Sequence, residues 1–348
     1  MVRTVIVCEA QVPFIQGGAE YLVRELVRNL LERGYETERV SVPFKWYPKQ
    51  ELLAQAAAWR LLDLNESHGR RVDLVIATKF PTYFVRHSCK VAWMLHQHRA
   101  AYELTGTIYG DFDHADEDVG LRARLMALDT EMLSECRGLF AIAENTASRT
   151  KRFNGLAPEV LYHPPRLADR LHAGPYGSYA LFVGRLETIK RADLAIRALV
   201  HAPRDLSLVV AGTGSQDTAL ATLAESLGVA GRVRFLGAVD DATLVELYAG
   251  ALAVVFPPYD EDYGYVTLEA FLARKPIVTT TDAGEPTEFV RDDVTGCVTP
   301  PDPAAIGDAL ARLAADRTRA ARLGEAGYER ARTITWAGVV ERLVAAAG

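Results

Sequence analysis

Short apolar runs alternate with segments of helical periodicity along the chain. The first run, TVIVCEA (4–10), leads through a loop with Gly17 and Gly18 to a predicted helix over 19–34, in which apolar residues recur at helical spacing. Such alternation is typical of βα units, in which a parallel sheet carries helices on both faces. Further strands are predicted over 38–42, 73–78, 90–95, 139–144, 180–184, 207–212, 232–237, 251–256, 275–280 and 296–300.

Prolines divide this series into two. Four of them fall within 158–175, which we interpret as an interdomain linker. The fold class is therefore α/β, with two Rossmann-like doubly wound parallel-sheet domains, over 1–165 and 166–327, that we expect to face a central cleft. The amphipathic segment 328–348, around Trp336, is expected to be a helix that packs back on the N-terminal domain.

The stretch YDEDYGYVTLEAF (259–271) carries two glutamates, Glu261 and Glu269, eight positions apart. A single helix would place both on one face. Gly264 instead favours a tight turn, with a helix that begins near Tyr265. Glu261 then lies in a loop and Glu269 in or just after the first helical turn, so both can face one ligand.

Basic residues follow the strand at 180–184. Arg185 lies just past its end, and Lys190 and Arg191 lie at the start of the next predicted helix, over about 190–200. Cations are disfavoured at a helix N-terminus by about 0.3–1 kcal/mol, and a bound anion would compensate for them. The pattern indicates a diphosphate site, and a solvated basic turn is the alternative.

Composition narrows the class of protein. The chain has 348 residues, 49% hydrophobic and 24% charged, which is ordinary for a globular protein. Its net charge of −6 argues against nucleic-acid binding. The four cysteines form no CxxC pair, so we expect a reducing cytoplasm and no zinc site. We find no signal peptide and no apolar run near the roughly 20 residues that span a bilayer.

These motifs together resemble the GT-B retaining glycosyltransferases of glycosyltransferase family 4 (glycosyl transferases group 1). The resemblance covers about 120 residues of the C-terminal half, in the family's order and spacing. It rests on 181–199, VVAGTGS (209–215), 232–251, the two glutamates of 261–269, and 274–300. The N-terminal half matches more loosely, as expected for the domain that binds the acceptor.

The resemblance implies that the C-terminal domain binds a nucleotide-sugar donor. Arg185 and Lys190 match the pair that holds the donor diphosphate, and cations there would meet the charge of the leaving group. Glu269 matches the residue that accepts hydrogen bonds from the ribose hydroxyls. The N–H groups of Tyr265 and Val266 would face the sugar and phosphate.

The same resemblance assigns catalytic roles. Glu261 matches the glutamate near the donor sugar, where it would favour positive charge at the anomeric carbon. His96 matches a histidine of the catalytic pocket, with His98 as the fallback candidate and a structural histidine as the alternative. Gly17 and Gly18 would let the backbone approach the donor phosphate or the acceptor.

We expect no cofactor and no essential metal, because cations already neutralise the diphosphate. Two D-x-D spacings, at 111–113 and 260–262, are typical of metal–diphosphate sites. The glutamate motif explains the second better. The first lies in the acidic run 110–118, which we expect to be a solvated loop.

The prediction of which base the donor carries rests on residues 239–241. This stretch resembles the base-contacting segment of members that use GDP-mannose, since guanine offers two donors to a carboxylate. A helix N-cap at Asp240 or Asp241 is the alternative. We lean slightly to GDP over UDP. Pro257-Pro258 and Ala283-Gly284-Glu285 depart from the family pattern near the donor sugar, which leaves the sugar open.

The sequence therefore predicts a retaining glycosyltransferase that moves a hexose from a GDP- or UDP-linked donor to a hydroxyl acceptor. That acceptor is a sugar, a lipid headgroup or a small molecule. The alternatives are a GT-B sugar-nucleotide epimerase and a non-catalytic nucleotide-sugar-binding subunit. Helix 19–34 mixes arginines with glutamates, so we expect at most weak peripheral membrane contact.

Overall fold

The computed structural model describes residues 2–14 and 17–348. The chain forms two compact units. Unit 1 comprises Met1–His163 and Thr335–Gly348, and unit 2 comprises Pro164–Ile334. The C-terminal residues thus complete the unit that contains the N-terminus.

Unit 1 is built on a six-stranded sheet with the strand order β2-β1-β5-β6-β7-β8, in which every pair is parallel. Its strands are β1 (Thr4–Gln11), β2 (Glu36–Pro43), β3 (Glu66–Ser67), β4 (Arg70–Arg71), β5 (Leu74–Ala77), β6 (Lys90–Met94), β7 (Gly138–Ala141) and β8 (Glu159–Val160), with β3 and β4 forming a separate antiparallel hairpin. Its helices are α1 (Gly18–Glu32), α2 (Glu51–Leu61), α3 (Asp116–Ser134) and α4 (Glu144–Asn154), with 3₁₀ turns at Thr82–Phe84 and Arg99–Ala101. Every residue of β5 and β6 is buried, as expected for central strands covered on both faces.

Unit 2 repeats this architecture with the strand order β11-β10-β9-β12-β13-β14, again with parallel pairs. Its strands are β9 (Tyr179–Val183), β10 (Ser207–Ala211), β11 (Val233–Gly237), β12 (Ala253–Val255), β13 (Ile277–Thr280) and β14 (Gly296–Thr299). Its helices are α5 (Ala192–Ala198), α6 (Asp217–Ser226), α7 (Asp241–Gly250), α8 (Tyr265–Leu272), α9 (Pro286–Phe289), α10 (Pro303–Ala315) and α11 (Arg317–Ala331), with 3₁₀ turns at Thr188–Lys190 and Ala230–Arg232. The predicted α/β class with two doubly wound parallel sheets is confirmed.

Four segments differ from the expected elements. The acidic run 110–118, expected to be a solvated loop, enters α3 at Asp116, and Phe112 and Asp118 are buried. The helix expected over about 190–200 is a 3₁₀ turn and the seven-residue α5, separated by Arg191 in the left-handed region at φ 52°. The expected linker begins with an edge strand, β8, that pairs with β7. Residues 328–331 still belong to α11, and a new helix, α12 (Trp336–Ala345), starts after Thr335.

Helix α12 packs within unit 1 against α1. Thr335 caps its N-terminus by accepting a hydrogen bond from the Gly338 N–H. The Trp336 ring lies 6.2 Å from that of the buried Trp93, in an edge-on arrangement. The core of unit 1 therefore uses side chains from both ends of the chain.

Each sheet reverses its strand order once. In unit 2, β9 lies between β10 and β12, so the chain turns back on itself beside β9. Ligands of doubly wound sheets bind at the carboxyl ends of the strands at such a point. In unit 2 these are the loops that follow β9 and β12, which carry most of the predicted site residues.

Candidate functional site

The loops after β9 and β12 start side by side, because the two strands are parallel neighbours. The Tyr259 N–H donates a hydrogen bond to the Ile189 carbonyl at 2.8 Å, which joins the two loops directly. Sequence positions 70 residues apart thus form one surface at the carboxyl edge of the sheet.

Arg191 stabilises this surface through hydrogen bonds to the loop after β12 and to the end of β13. Its guanidinium donates to the Pro257 and Pro258 carbonyls, each at 2.7 Å, to Thr280 Oγ1 at 2.9 Å, and to both Asp282 oxygens at 2.6 and 2.8 Å. Burial acts to raise the pKa of the Asp282 carboxyl, but the hydrogen bonds from Arg191 and Thr280 together lower it below its usual value. The charge of Arg191 is therefore neutralised by Asp282 inside the fold, and it does not need the bound anion that its position at the helix start led us to expect.

Lys190 and Glu261 form an ion pair at this edge. Their side chains are only 16% and 19% exposed, so the pair is largely shielded from solvent. The Lys190 amine also lies 5.9 Å from the centre of the Phe256 ring. The structure thus brings together two predicted site residues, the diphosphate cation and the sugar-side carboxylate.

Glu261 is held by backbone bonds as well. Its N–H donates to the Ala283 carbonyl at 2.8 Å, and its carbonyl accepts from the Glu285 N–H at 3.0 Å. Gly284 runs between these bonds at φ 75°, where an added Cβ would lie 2.6 Å from the Glu261 N and O atoms. Only glycine fits there, which gives a physical reason for the Ala-Gly-Glu sequence.

Helix α8 begins directly after this loop. Gly264, at φ 74°, is its N-cap, so the helix starts at Tyr265 as the sequence predicts. Tyr265 and Val266 are the first two residues of α8, so their N–H groups lie at the N-terminal end of the helix dipole. Their partial positive charge is suited to a phosphate or another anion.

Glu269 is the fifth residue of α8 and is partly buried. Its Oε2 accepts a hydrogen bond from the Tyr248 hydroxyl of α7 at 2.6 Å. Burial raises the pKa of the Glu269 carboxyl, while the Tyr248 hydrogen bond and the charge of Arg166 act in the opposite direction. One oxygen is therefore fixed, and the other can accept hydrogen bonds from a diol.

Asp240 and Asp241 have separate roles. Asp240 is the N-cap of α7 and accepts from the Thr243 N–H at 2.7 Å, which confirms the alternative assignment for this residue. Asp241 is held by the two terminal nitrogens of Arg166 and lies 3.4 Å from Arg170. Val239 precedes them in the loop after β11 and is partly buried. The paired state of Asp241 removes the argument for guanine that its carboxylate provided.

Arg185 differs from Lys190 and Arg191. It follows Gly184 after β9 and is exposed. Among residues 2–14 and 17–348, none forms a hydrogen bond or ion pair with its guanidinium. It is thus a cation at the rim that is available for a ligand.

The predicted residues of unit 1 lie after β1 and β6. The Gly17 N–H donates to Glu20 Oε2 at 2.9 Å as part of the cap of α1, and Gly18 is the first residue of that helix. Glu20 Oε1 lies 3.4 Å from the Lys79 amine, and both side chains are buried. Ile15 and Gln16, just before the two glycines, lie outside the described residues.

His96 and His98 line a pocket of about 540 Å³ in unit 1. His96 Nδ1 lies 2.7 Å from the Gln97 carbonyl oxygen. Burial, and to a lesser extent the neighbouring His96, lowers the pKa of His98 to about 4, so its imidazole is neutral at physiological pH. Both histidines therefore face the same pocket, and His96 stays the predicted catalytic residue.

Sequence analysis missed two residues of the unit 2 site, Tyr248 and Arg166. Tyr248 lies 21 positions before its partner Glu269, and Arg166 lies 75 positions before Asp241. Neither pair has a local sequence signal. Arg166 also falls within the stretch that we interpreted as a linker.

Comparison with known proteins bears on the family and the fold of the chain. Residues 175–330 match the family model described as "Glycosyl transferases group 1". The chain is 33% identical over 171 residues to a D-inositol 3-phosphate glycosyltransferase of Corynebacterium diphtheriae, covering 47% of this chain and 40% of that one. It is 25% identical over 342 residues to an uncharacterised glycosyltransferase of Methanocaldococcus jannaschii, covering 87% of each. The first of these alignments thus spans about two fifths of the inositol phosphate enzyme.

Solved structures show the same fold at low identity. Sucrose-phosphate synthase from Thermosynechococcus elongatus gives a TM-score of 0.77 at 17% identity, over 99% of this chain and 100% of that one. Anabaena HepE in complex with UDP and glucose gives 0.71 at 16% identity, over 98% of each. No helix within the described part of the chain is long and apolar enough to cross a membrane.

Proposed function

We propose that this chain, a GT-B type glycosyltransferase whose residues 175–330 belong to the glycosyl transferases group 1 family, is a retaining hexosyltransferase. It transfers the hexose of a GDP- or UDP-linked donor to a hydroxyl group, without a metal. The observation that carries the proposal is the shielded Lys190–Glu261 ion pair, which adjoins the N-terminus of α8 in unit 2.

The diphosphate of the donor would lie between the two loops. Lys190 and the exposed Arg185 supply positive charge, and the first N–H groups of α8 supply backbone donors. When the donor binds, the Lys190 amine donates a hydrogen bond to a phosphate oxygen, either in place of its bond to Glu261 or in addition to it. Preorganised charge at the leaving group lowers the barrier of the bond-breaking step.

Glu269 and Glu261 would bind the two ends of the donor. The Glu269 oxygen that Tyr248 leaves open accepts hydrogen bonds from the ribose hydroxyls. Glu261 faces the hexose, where its negative charge favours the positive charge that develops at the anomeric carbon. The backbone bonds of Glu261 to Ala283 and Glu285 hold the main chain that carries this carboxylate, so its position is set before the donor arrives.

The reaction proceeds on one face of the sugar. The bond between the anomeric carbon and the phosphate oxygen breaks, and its electron pair stays on the diphosphate. The acceptor hydroxyl forms the new bond from the same face and gives its proton to the departing phosphate oxygen. The anomeric configuration is retained, and His96 orients the hexose or the acceptor.

The test is donor hydrolysis and transfer by the purified chain with a panel of GDP- and UDP-hexoses. Lys190→Ala is expected to lose about 100-fold or more in turnover, the scale of removing one preorganised charge from a transition state. Arg197→Ala is the matched control, since Arg197 is a half-exposed cation of neighbouring α5 with only a 3.8 Å contact to Asp193. Near-normal turnover of Lys190→Ala, or no hydrolysis and no transfer by the native chain with any donor, would refute the proposal.

A further inference from the structure

The pocket of unit 1 has an aromatic lining. Phe44, Trp46, Phe80 and His98 all line it. The Phe44 and Phe80 rings meet edge to face with centroids 6.0 Å apart, and the His98 ring lies 6.0 Å from Phe80 and 6.5 Å from Phe44. Trp46 continues the cluster, 6.4 Å from Phe44. Such a lining stabilises flat or ring-shaped ligands through apolar contact.

The mouth of the pocket is apolar as well. Ile108 lines it and is 84% exposed, an unusual position for an isoleucine without a ligand or partner. Tyr47, also exposed, stacks edge-on against Trp46 at 5.3 Å. A ligand that fills the pocket and extends past its edge would therefore remove exposed apolar surface of Ile108 and Tyr47 from water.

The cations that line the pocket are already paired. Lys79 lies 3.4 Å from Glu20, with both side chains about 10% exposed or less. Arg99 forms an ion pair with Glu103, which Arg149 also contacts at 2.9 Å. A phosphorylated ligand would have to break one of these shielded pairs.

The remaining groups do not favour an anion. His98 is buried and neutral, and among the described residues its Nε2 has no hydrogen-bond partner. Asp111 adds a negative charge to the lining. Gln97 also lines the pocket and is fully buried, and its Nε2 donates hydrogen bonds to Thr150 Oγ1 and Asn154 Oδ1.

We propose that this pocket binds the acceptor, and that the acceptor is an uncharged, ring-shaped hydroxyl compound that stacks by one face on Phe44 and Trp46. This rests on the proposed transferase function. The aromatic lining suits both sources of this chemistry, the apolar face of a neutral saccharide and an aromatic alcohol.

Isothermal titration of the full chain tests the inference with three probes and no donor. Phenyl β-D-glucopyranoside represents the saccharide source, 2-naphthol the aromatic alcohol, and myo-inositol 1-phosphate a phosphorylated polyol. We expect one of the neutral probes to bind at least about tenfold more tightly than the phosphate. We expect Trp46→Ala to weaken that binding by about five- to tenfold, the scale of one aromatic stacking contact.

Phe235→Ala is the control, since Phe235 is a partly exposed aromatic residue on β11 of unit 2 and does not line the pocket. The inference fails if myo-inositol 1-phosphate binds more tightly, if neither neutral probe binds, or if Trp46→Ala leaves the affinity unchanged. Titration of GDP and UDP on the same preparation separates this failure from that of the transferase proposal. A chain that binds and hydrolyses a donor but no neutral ring retains the function and loses only this assignment.

Discussion

Asp129 of α3 should make the stability of unit 1 depend on pH. It is fully buried, and its Oδ2 accepts a hydrogen bond from the Tyr102 hydroxyl at 2.5 Å. Burial raises the pKa of its carboxyl from 3.8 to about 7, since the charged form loses its hydration. The Tyr102 hydrogen bond lowers the pKa but does not offset the burial.

The sign follows from the raised pKa. The folded state holds the proton more tightly than the unfolded state, so the favourable contribution is complete below pH 3.8 and is lost as the pH rises through 7. A difference of about 3 pKa units corresponds to about 4 kcal/mol in total. Between pH 5 and pH 8.5, the free energy of unfolding should fall by about 2–3 kcal/mol from this group alone.

Urea unfolding followed by tryptophan fluorescence measures this for unit 1. The four tryptophans of the chain, Trp46, Trp59, Trp93 and Trp336, all lie in that unit. Asp129→Asn removes the titrating group. Between pH 5 and pH 8.5, the free energy of unfolding of this variant should therefore fall by about 2–3 kcal/mol less than that of the native chain. Glu131→Gln, an exposed change on the same helix, should keep the native slope. Equal pH slopes for Asp129→Asn and the native chain would show that the buried carboxyl does not titrate in this range.

Three further predictions concern unit 2. Glu269→Gln should weaken binding of a nucleoside diphosphate about tenfold or more, because a neutral amide replaces a charged acceptor; calorimetry that shows unchanged affinity contradicts the ribose role. Arg166→Gln should remove the bidentate partner of the Asp241 carboxylate and shift the ratio of GDP to UDP affinity toward GDP, and an unchanged ratio in paired titrations would place Asp241 away from the base. Gly284→Ala should destabilise unit 2 by about 1–3 kcal/mol and lower turnover, because the methyl group would displace Glu261. Hydrogen exchange at the amides of unit 2 measures the loss of stability. Protection equal to that of the native chain would refute the close contact between Gly284 and Glu261.

The sequence predicts the order of strands and helices well, because the apolar pattern of these strands depends mostly on their burial. Strands such as β5 are apolar throughout, since helices cover both faces of the sheet. The start of α8 at Tyr265 is also predictable, because Gly264 is a local signal. In both cases the deciding interactions lie within a few residues of each other.

Long-range bonds decide the features that the sequence does not reveal. Arg191 is driven into the left-handed region by partners 66 to 91 positions away, and it divides a helix whose periodicity is otherwise continuous. The charge of Asp241 suggests a free ligand-binding carboxylate until Arg166 is seen beside it. A single sequence contains both residues of each pair but no sign that they meet.

The bonds of Arg191 have a thermodynamic consequence for donor binding. One guanidinium joins the Pro257-Pro258 segment to Thr280 and Asp282, so the loop that carries Glu261 is ordered before any ligand arrives. Ordering a flexible loop costs entropy that would otherwise be subtracted from the affinity. Lysine could not replace Arg191, since a single ammonium lacks the planar fork that reaches these acceptors together. Arg191 thus holds the loop in place from within the fold, and the donor meets a rigid surface.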